Sequence, residues 1–390
     1  MAELISKYPA ISDLRRHAQR RIPHFAWEFL EAGTGLDHTV ERNASALARV
    51  QLSPRAMRGP VSRDLRTRFL GQDYKAPFGI APIGGTGMIW PGGERILAAL
   101  GASFNLPYTL SGVATQPPEN IGPIAKGSGW FQLYPLADKE IQTDILKRVW
   151  TAGFKTLVIT GDVPKMSRRE RQMRAGFQMP PRLTLSMLLQ ALSHPGWTRA
   201  ILQTGRPELA TLAPYFAKLP AGKKMLEIGR QLHPESGWSE IARIREVWPG
   251  HIVLKGIMHA DDARMAVTSG ADAIWVSNHG GRQLDAAPAA LSVLPGIRAA
   301  VGKDVPLIFD SGIRSGLDIA RAMASEADFV MLGRPFLYAI AAAGQQGAQH
   351  CANVLFEELE NVMAQVGAAR PTDLPMALIR AGSEKHEQIV

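Results

Sequence analysis

One stretch of the chain combines a histidine, an arginine and paired glycines directly after an apolar run. Residues 277–285 read Ser-Asn-His-Gly-Gly-Arg-Gln-Leu-Asp and follow the apolar run 273–276. A neutral imidazole such as that of His279 accepts a proton near pH 7, and Arg282 can bind a carboxylate through two parallel hydrogen bonds. Paired glycines let the backbone approach a ligand closely. A structural histidine in a capped loop is the alternative, but the combination favours proton transfer on a carboxylate-bearing molecule.

Two further turns carry glycine together with arginine. Residues 310–316 read Asp-Ser-Gly-Ile-Arg-Ser-Gly, and Gly333-Arg334 follows the next apolar run. Backbone amides of glycines and arginine guanidinium groups both bind phosphate. Either turn alone is commonplace. Two of them after successive apolar runs predict a phosphate site that includes Gly312, Arg314, Gly333 and Arg334.

Polar residues also end other apolar runs. Asp162 follows one of them and could orient an imidazole and stabilise its protonated form. An arginine of the run 168–171, which would otherwise be a solvated basic stretch, lies just beyond it. Lys255 ends another run and would need an anionic partner if buried. Gln132 and Tyr134 alternate along a third, so both face one side, where they would contact a ligand or satisfy each other.

The elements that must position these residues alternate between short apolar runs and helical patterns. Eight such units predict a parallel sheet closed into a (β/α)8 TIM barrel, with catalytic residues at the carboxyl ends of its strands. An open doubly wound sheet is the alternative, but the glycines at 84–87 lack its fingerprint spacing. The candidate strands are residues 78–82, 108–110, 130–134, 156–160, 252–255, 273–276, 307–310 and 329–332.

The barrel is expected to have two additions within a single domain covering residues 1–390. The region up to about Arg66 is expected to be a helical extension, with one helix capped at Ser12-Asp13 and another starting at Pro23. About ninety residues separate strands four and five, where a βα unit needs about thirty. The excess, about residues 176–236, is therefore an insertion in the loop after strand four, beside the catalytic face.

Composition excludes several classes of function. The formal charge is +9 with 46% hydrophobic residues and one cysteine, which fits a large core and leaves no disulfide pairing within a chain. No basic patch accompanies a nucleic-acid-binding module, so we expect no nucleic-acid partner. The N-terminal residues lack a signal-peptide pattern, and no run of eighteen apolar residues predicts a spanning helix.

The insertion contains a dense apolar cluster with a basic border. Leucines and a methionine between residues 183 and 192 are followed by Trp197, Ile201 and Leu202. A helix with an apolar face, a tryptophan and basic neighbours typically lies in a membrane interface without crossing it. The alternative is that this face packs on the barrel or on another subunit. The basic residues are Arg182, Arg199, Arg206, Lys218, Lys223 and Lys224.

Taken together, these motifs resemble the FMN-dependent α-hydroxy-acid dehydrogenases and oxidases. The block 277–283, the Phe-Gln-Leu-Tyr at 131–134 and the residues 310–314 match that family's motifs, and the resemblance spans about residues 11–374. Within the insertion, residues 194–197 and 205–209 most resemble the (S)-mandelate dehydrogenase branch.

The resemblance implies a role for each matched residue. His279 would be the base and Asp162 its partner, while Arg169 and Arg282 bind the substrate carboxylate and Tyr134 hydrogen-bonds the substrate. Lys255 would lie by N1 and O2 of the flavin. The other FMN contacts implied are the backbone of Pro82, Ile83 and Gly84, the polar side chains of Ser111, Gln132, Thr160 and Ser277, Asp310 at the ribityl hydroxyls with Ser311 beside it, and Gly312, Arg314, Gly333 and Arg334 at the phosphate.

The chain departs from the family pattern around the substrate. Phe29 stands where the family usually has a tyrosine that touches the carboxylate, Val113 aligns with a pocket tryptophan of glycolate oxidase, and Gly84 replaces a bulkier residue. A larger and more apolar pocket is therefore expected, suited to mandelate-like acids.

The resemblance implies FMN-dependent oxidation of an L-2-hydroxy acid to the 2-oxo acid, with His279 taking a proton from Cα or from the hydroxyl. Electrons would pass to a membrane quinone, and the protein would lie in the cytoplasm, peripheral on the inner face of the cell membrane, as a homo-oligomer, a tetramer by resemblance. The rivals are an oxidase that produces hydrogen peroxide and a non-redox FMN barrel such as an isomerase. No metal site is expected.

Overall fold

The N-terminal extension is a set of helices followed by a short hairpin. In the computed structural model, which describes residues 2–59, 61–176, 184–232 and 236–379, the hairpin strands pair antiparallel. The elements are α1 (Ala2–Lys7), α2 (Ile11–Arg21), α3 (His24–Glu31), α4 (His38–Ala48), β1 (Thr67–Phe69) and β2 (Gln72–Tyr74).

Eight parallel strands then close into a barrel, in which β10 pairs with β3 to complete the ring. All eight are short, buried and rich in branched and aromatic residues, as strands covered on both faces require. They are β3 (Phe78–Ile80), β4 (Tyr108–Ser111), β5 (Gly129–Leu133), β6 (Thr156–Thr160), β7 (His251–Ile257), β8 (Ala273–Val276), β9 (Leu307–Phe309) and β10 (Phe329–Leu332). The predicted (β/α)8 barrel is confirmed.

Helices cover the outside of the barrel and connect each strand to the next. The last of them, α17, is interrupted by non-helical backbone at Ala343 and Gly344. The helices are α5 (Thr86–Ile89), α6 (Gly93–Phe104), α7 (Pro118–Ala125), α8 (Lys139–Thr151), α9 (Glu170–Arg174), α10 (Leu185–Leu192), α11 (Pro195–Thr204), α12 (Ala221–Gln231), α13 (Ser239–Val247), α14 (Ala260–Thr268), α15 (Ala290–Val301), α16 (Gly316–Ala324) and α17 (Arg334–Val366), with 3₁₀ turns at Ala213–Phe216 and Pro371–Ala377.

The amino end of the barrel is plugged by aromatic side chains. Phe69 and Tyr74 of the hairpin pack on Trp130 and Phe329 from inside the barrel, and the indole N–H of Trp130 donates to the Tyr74 hydroxyl at 3.1 Å. The hydroxyl and the indole N–H thus satisfy each other in the core. Since aromatic side chains fill this end, the carboxyl ends of the strands are where the described barrel can bind a ligand.

The structure differs from the sequence predictions at the ends of elements. Helix α2 begins at Ile11, so Ser12 is inside it, and Asp13 instead accepts the backbone N–H of Ala10 at 2.9 Å. The predicted cap at Ser12-Asp13 is therefore wrong. Pro23 precedes the first residue of α3. Strand β9 ends at Phe309, which leaves Asp310 just beyond it, where its side chain can turn toward the mouth.

Candidate active site

A cavity of about 470 Å³ opens at the carboxyl ends of the barrel strands. The loops after the strands supply most of its wall, and α3 and the insertion supply the rest, which is the place where barrels of this kind build active sites. Most residues predicted for the site line it, namely Phe29, Pro82, Ile83, Gly84, Val113, Tyr134, Arg169, Lys255, His279, Arg282, Asp310, Ser311, Gly312, Arg314, Gly333 and Arg334.

His279 follows β8 and Asp162 follows β6, and their side chains come into contact at this mouth. The imidazole Nδ1 lies 3.2 Å from both carboxylate oxygens of Asp162. If Nδ1 carries the proton and donates it, Nε2 keeps its lone pair and can act as a base. The backbone of His279 has a φ of +58°, and its N–H donates to Ser277 Oγ at 3.0 Å, which fixes the turn.

Close approach of Asp162 to the barrel depends on a glycine. Gly256 has a φ of +100°, and a Cβ at this position would lie 2.5 Å from the Cβ of Asp162. The pairing of β7 with β8 shifts register between Lys255 and Ile257. This irregularity brings the backbone of β7 against the carboxylate that holds the histidine.

Burial and charge set the protonation of this pair. Burial lowers the pKa of His279, with Lys255 and Arg169 acting in the same direction and Asp162 opposing them. Burial alone would raise the pKa of Asp162, but the charges of His279 and Lys255 outweigh it, and the pKa of Asp162 is lowered. At pH 7 the pair is therefore a neutral imidazole beside a carboxylate, the state that a general base requires.

Two arginines make the cavity attractive to a carboxylate. The Arg282 guanidinium donates through Nη1 to the carbonyls of Phe29 and Ala32 at 3.0 and 2.7 Å, and Arg169 donates through Nε to Ser167 Oγ at 3.3 Å. Across the described ranges, neither arginine has an acidic side chain within salt-bridge distance. Burial lowers the pKa of both, and for Arg282 the charges of Arg169 and Arg334 add to it. An anionic ligand would relieve this repulsion.

Tyr134 contributes a hydroxyl to the same cavity. It lies one residue beyond β5, and burial, with Asp162 nearby, raises the pKa of Tyr134 to about 12. The phenol therefore stays protonated at any ordinary pH and can donate a hydrogen bond to an anionic ligand.

Lys255 is the buried cation at the floor of the mouth. Only 3% exposed, its ammonium donates to Ser277 Oγ at 2.8 Å and lies 3.4 Å from Asp310 Oδ2. Asp310 in turn accepts from Ser311 Oγ at 2.7 Å. The anionic partner that burial of this lysine demands is thus Asp310.

The glycine and arginine turns after β9 and β10 converge on one wall of the cavity. Gly312 has a φ of +102°, Gly333 precedes α17, and Arg314 and Arg334 lie close enough that burial and the charge of Arg314 lower the pKa of Arg334. Arg334 donates to the carbonyl of Gly280 at 3.1 Å. Two neighbouring cations beside glycine backbone at the start of a helix are the donor set that a phosphate fits.

Four predicted cofactor residues do not line the cavity themselves. Ser111 donates to Gln132 Oε1 at 2.8 Å, and Ser277 is fully buried. Gln132 Nε2 and Thr160 Oγ1 are buried and have no hydrogen-bond partner among the described residues. Buried polar atoms of this kind are usually paired. The polar edge of a flavin ring would supply acceptors and donors here, so the residues present fit FMN.

Several lining residues were not predicted from the sequence. Gln172 is buried three residues after Arg169 on α9, and helical periodicity could have identified it. Its Nε2 has no hydrogen-bond partner in the described part of the chain. Ser167 also lines the cavity. Most of the others are apolar and no motif marks them, among them Leu30, Ala81, Gly85, Met88, Ile89, Met166, Met173, Leu209 and Leu232.

The insertion places an apolar face in solvent and one tryptophan in the core. Leu185, Leu188, Leu189 and Leu192 of α10, with Leu202 of α11, are 57–80% exposed; we name this set the leucine face. Trp197, predicted as an interface anchor, is instead buried, and its indole N–H donates to the carbonyl of Ile89 at 3.1 Å. Arg182 and Leu183 lie outside the described residues. Within the described residues, no helix has the length and apolar character needed to cross a membrane.

Comparison with known proteins gives consistent matches along the chain. The family model for FMN-dependent dehydrogenase matches residues 18–381. An L-lactate dehydrogenase of Xanthomonas euvesicatoria pv. vesicatoria (strain 85-10) is 39% identical over 384 residues, covering 97% of this chain and 98% of the relative. One from Stenotrophomonas maltophilia (strain R551-3) is 39% identical, covering 94% and 97%.

Solved structures give the same picture. The (S)-mandelate dehydrogenase described as a monotopic membrane protein superposes with a TM-score of 0.90 at 31% identity, covering 95% of this chain and 98% of that one. A mandelate oxidase superposes with a TM-score of 0.81 at 31% identity, with the same coverage. The similarity therefore includes the barrel and the insertion together.

Proposed function

The chain belongs to the FMN-dependent dehydrogenase family, and on that premise we propose that it oxidises an L-2-hydroxy acid with an apolar side chain larger than that of lactate and passes the electrons to a membrane quinone. FMN is the cofactor, and oxidation of a 2-hydroxy acid is the reaction of the family. The observation that carries the proposal is the His279–Asp162 pair beside one cavity with two buried arginines, for which the described residues provide no acidic partner.

Some of the site residues bind the substrate, and others take part in proton transfer. Arg169 and Arg282 bind the carboxylate, and Tyr134 donates to the substrate, so that Cα faces the base. His279 then accepts a proton from Cα or from the hydroxyl, and Asp162 stabilises the imidazolium that results. FMN, when bound, supplies the two-electron acceptor. Lys255 would balance negative charge at its ring, and Arg314 and Arg334 with Gly312 and Gly333 would hold its phosphate.

The pH dependence of the reaction tests the His279–Asp162 pair. Because burial lowers the pKa of His279 below its usual 6.5, we expect the anaerobic reduction rate to be level above pH 6.5 and to fall at lower pH. In Asp162→Asn the carboxylate that raises this pKa is gone, so the fall should move to lower pH. The reduction rate on the plateau above pH 6.5 should also drop at least about tenfold, because the imidazolium formed in the reaction loses its counter-charge.

Stopped-flow reduction of the holoenzyme across a pH series would measure both effects. A fall that moves to higher pH in Asp162→Asn, or a level rate equal to that of the wild type, would show that Asp162 does not act on His279.

The pocket supports a substrate with a bulky apolar side chain. Val113, Met88, Met166 and Leu209 line the cavity with apolar side chains. Gly84 adds no room of its own, because a Cβ there would lie 2.6 Å from Val113 Cγ2. Similarity to the relatives named L-lactate dehydrogenase argues for a small acid as substrate, whereas similarity to the mandelate enzymes argues for an aromatic acid. Because one methylene contributes only about 1–3 kcal/mol, the preference is expected to be graded.

Phe29→Tyr tests whether the Phe29 ring lies beside the substrate carboxylate, and the preference of the wild type among acids tests the size of the pocket. The Arg282 guanidinium lies 5.7 Å from the centre of the Phe29 ring, so a hydroxyl on that ring would restore a donor near the carboxylate. We expect kcat/KM to rise about tenfold for both L-lactate and L-mandelate, because both acids carry the carboxylate that gains one hydrogen bond to a charged group. Wild-type enzyme that prefers glycolate or lactate to every aromatic acid tested would contradict the larger-substrate proposal.

The electron acceptor is proposed from the position of the insertion. Trp197 bonds α11 to the carbonyls of Met88 and Ile89, two residues that line the cavity. Trp197 thus attaches the insertion, which carries the leucine face, to the wall of the cavity. This arrangement suits a peripheral protein on the inner face of the cell membrane that uses a quinone dissolved there. The rival oxidase would be reoxidised by oxygen and release hydrogen peroxide. Reoxidation of the reduced enzyme by a short-chain quinone and by oxygen, compared side by side, separates the two.

Vesicle binding tests the leucine face. Burial of a leucine side chain in an apolar phase contributes about 1.5–3 kcal/mol, and the exposed Arg199, Arg206, Lys218 and Lys223 add attraction to anionic lipid. The wild type should float with anionic vesicles at low salt, and the double variant Leu188→Gln/Leu192→Gln should not.

The matched control for this test is Met376→Gln, which removes an exposed apolar side chain outside the insertion. It should float like the wild type. If the double variant floats equally well, the leucine face is not the membrane contact, and an interface with another subunit becomes the better interpretation.

A further inference from the structure

Helix α9 follows Arg169 immediately and has only five residues, Glu170–Arg174. So short a helix makes too few internal hydrogen bonds to be stable alone. Its orientation, and with it the position of Arg169, must therefore be fixed by contacts with other parts of the molecule.

Those contacts come from α3 and from the turn that follows it. Arg171 donates to Glu28 Oε1 at 3.0 Å, its Nε lies 2.8 Å from Glu28 Oε2, and it also bonds Asp37. Glu28 is only 7% exposed, so its charge requires a cation. The nearby acidic groups raise the pKa of Arg171 despite its partial burial.

Backbone contacts reinforce the ion pairs on either side. Thr34 Oγ1 donates to the carbonyl of Arg168 at 2.6 Å, and the N–H of Gly35 donates to Glu170 at 3.0 Å. Asp37 itself is fixed, since its second carboxylate oxygen accepts the N–H of Gly33 at 2.7 Å. The segment 28–37 therefore contacts the start of α9 at Arg168, Glu170 and Arg171.

The same stretch of backbone also fixes the second carboxylate arginine. Arg282 donates to the carbonyls of Phe29 and Ala32, and the N–H of Thr34 donates to the carbonyl of Gly281 at 3.1 Å. Arg169 and Arg282 come from loops more than a hundred residues apart. Residues 28–37 nevertheless contact both loops.

We propose that Arg171, through its ion pairs with Glu28 and Asp37, is a positioning residue that sets Arg169 relative to Arg282 so that both guanidinium groups bind one carboxylate. The proposal rests on the proposed role of those two arginines. Arg171 itself does not line the cavity, so its action is indirect. A misplacement of about 1 Å at such a site can lower the reaction rate about 10²-fold. Ion pairs that fix the spacing of the two arginines therefore have a large expected effect.

The test measures carboxylate binding without turnover. Oxidised holoenzyme is titrated with pyruvate and with benzoylformate, and the dissociation constant is read from the change in flavin absorbance. Arg171→Gln should raise that constant about tenfold or more, with FMN content unchanged. Arg171→Lys should restore part of the affinity because it keeps a charge between Glu28 and Asp37.

Two further variants make the result decisive. Arg174→Gln removes an exposed arginine from the same helix and should bind both ligands like the wild type. Asp37→Asn removes one partner only and should weaken binding in the same direction, which keeps the test available if Arg171→Gln does not fold.

Wild-type affinity in folded, FMN-containing Arg171→Gln or Asp37→Asn would overturn the proposal. An equal loss of FMN, thermal stability and ligand binding would also overturn it, because that pattern belongs to a purely structural residue. A wild-type holoenzyme that binds neither 2-oxo acid would instead refute the proposed function.

Discussion

His279→Gln is expected to leave FMN bound while slowing its reduction by a 2-hydroxy acid by several powers of ten. General-base catalysis contributes about 10²–10⁴-fold on its own. The glutamine amide can keep a hydrogen bond to Asp162 but cannot take a proton. Anaerobic stopped-flow reduction, with FMN content measured on the same sample, provides the rate.

The backbone at this position calls for a second variant. His279 has a φ of +58°, a conformation that asparagine tolerates better than glutamine. His279→Asn should show the same loss of rate with intact FMN binding, so a folding defect cannot imitate the result. Reduction at close to the wild-type rate in either variant would mean that another residue is the base.

Arg169→Met is expected to lower kcat/KM for the 2-hydroxy acid by about 10²–10⁴-fold, largely through KM. A hydrogen bond to a charged group contributes about 1.5–3 kcal/mol, and a guanidinium offers a carboxylate two of them. Arg169 is the cleaner position to change, because Arg282 also supports the backbone of Phe29 and Ala32 and its loss would disturb the fold.

The control for Arg169→Met is the neighbouring Arg168, whose side chain is 78% exposed. Arg168→Met removes the same charge from the same loop and should change kcat/KM less than about twofold, since an exposed charge contributes little. Equal losses in the two variants would attribute the effect to the charge of the loop and not to a carboxylate contact.

The parts of the site that sequence could predict are those with chemistry tied to a strand end. His279, Lys255 and Asp310 each follow or end a buried apolar run, and parallel strands in a barrel bring such ends to one mouth. The eight strands were predictable for the same reason, since period and burial are local properties. Only the last residue or two of a strand, as at Asp310, depended on hydrogen bonds that sequence does not reveal.

The remaining features depend on contacts between distant segments. Arg171 belongs to a basic run that is usually solvated, and nothing local indicates that Glu28 and Asp37 neutralise it from more than a hundred residues away. Trp197 is a residue type typical of membrane anchors, but its packing against α5 buries it in the core of the protein. The helical spacing from Arg169 points to Gln172 as a neighbour, but its role follows only from the cavity beside it.

The central claim is that this cavity binds a 2-hydroxy acid beside FMN and oxidises it. The most direct test is anaerobic mixing of the purified yellow holoenzyme with a panel of L-2-hydroxy acids and their D-enantiomers, followed by bleaching of the flavin absorbance and identification of the product. Heat should release FMN and not FAD. We predict that at least one L-acid with an apolar side chain bleaches the flavin and appears as the 2-oxo acid, while its D-enantiomer does not. An FMN-loaded protein that no 2-hydroxy acid bleaches would contradict the account.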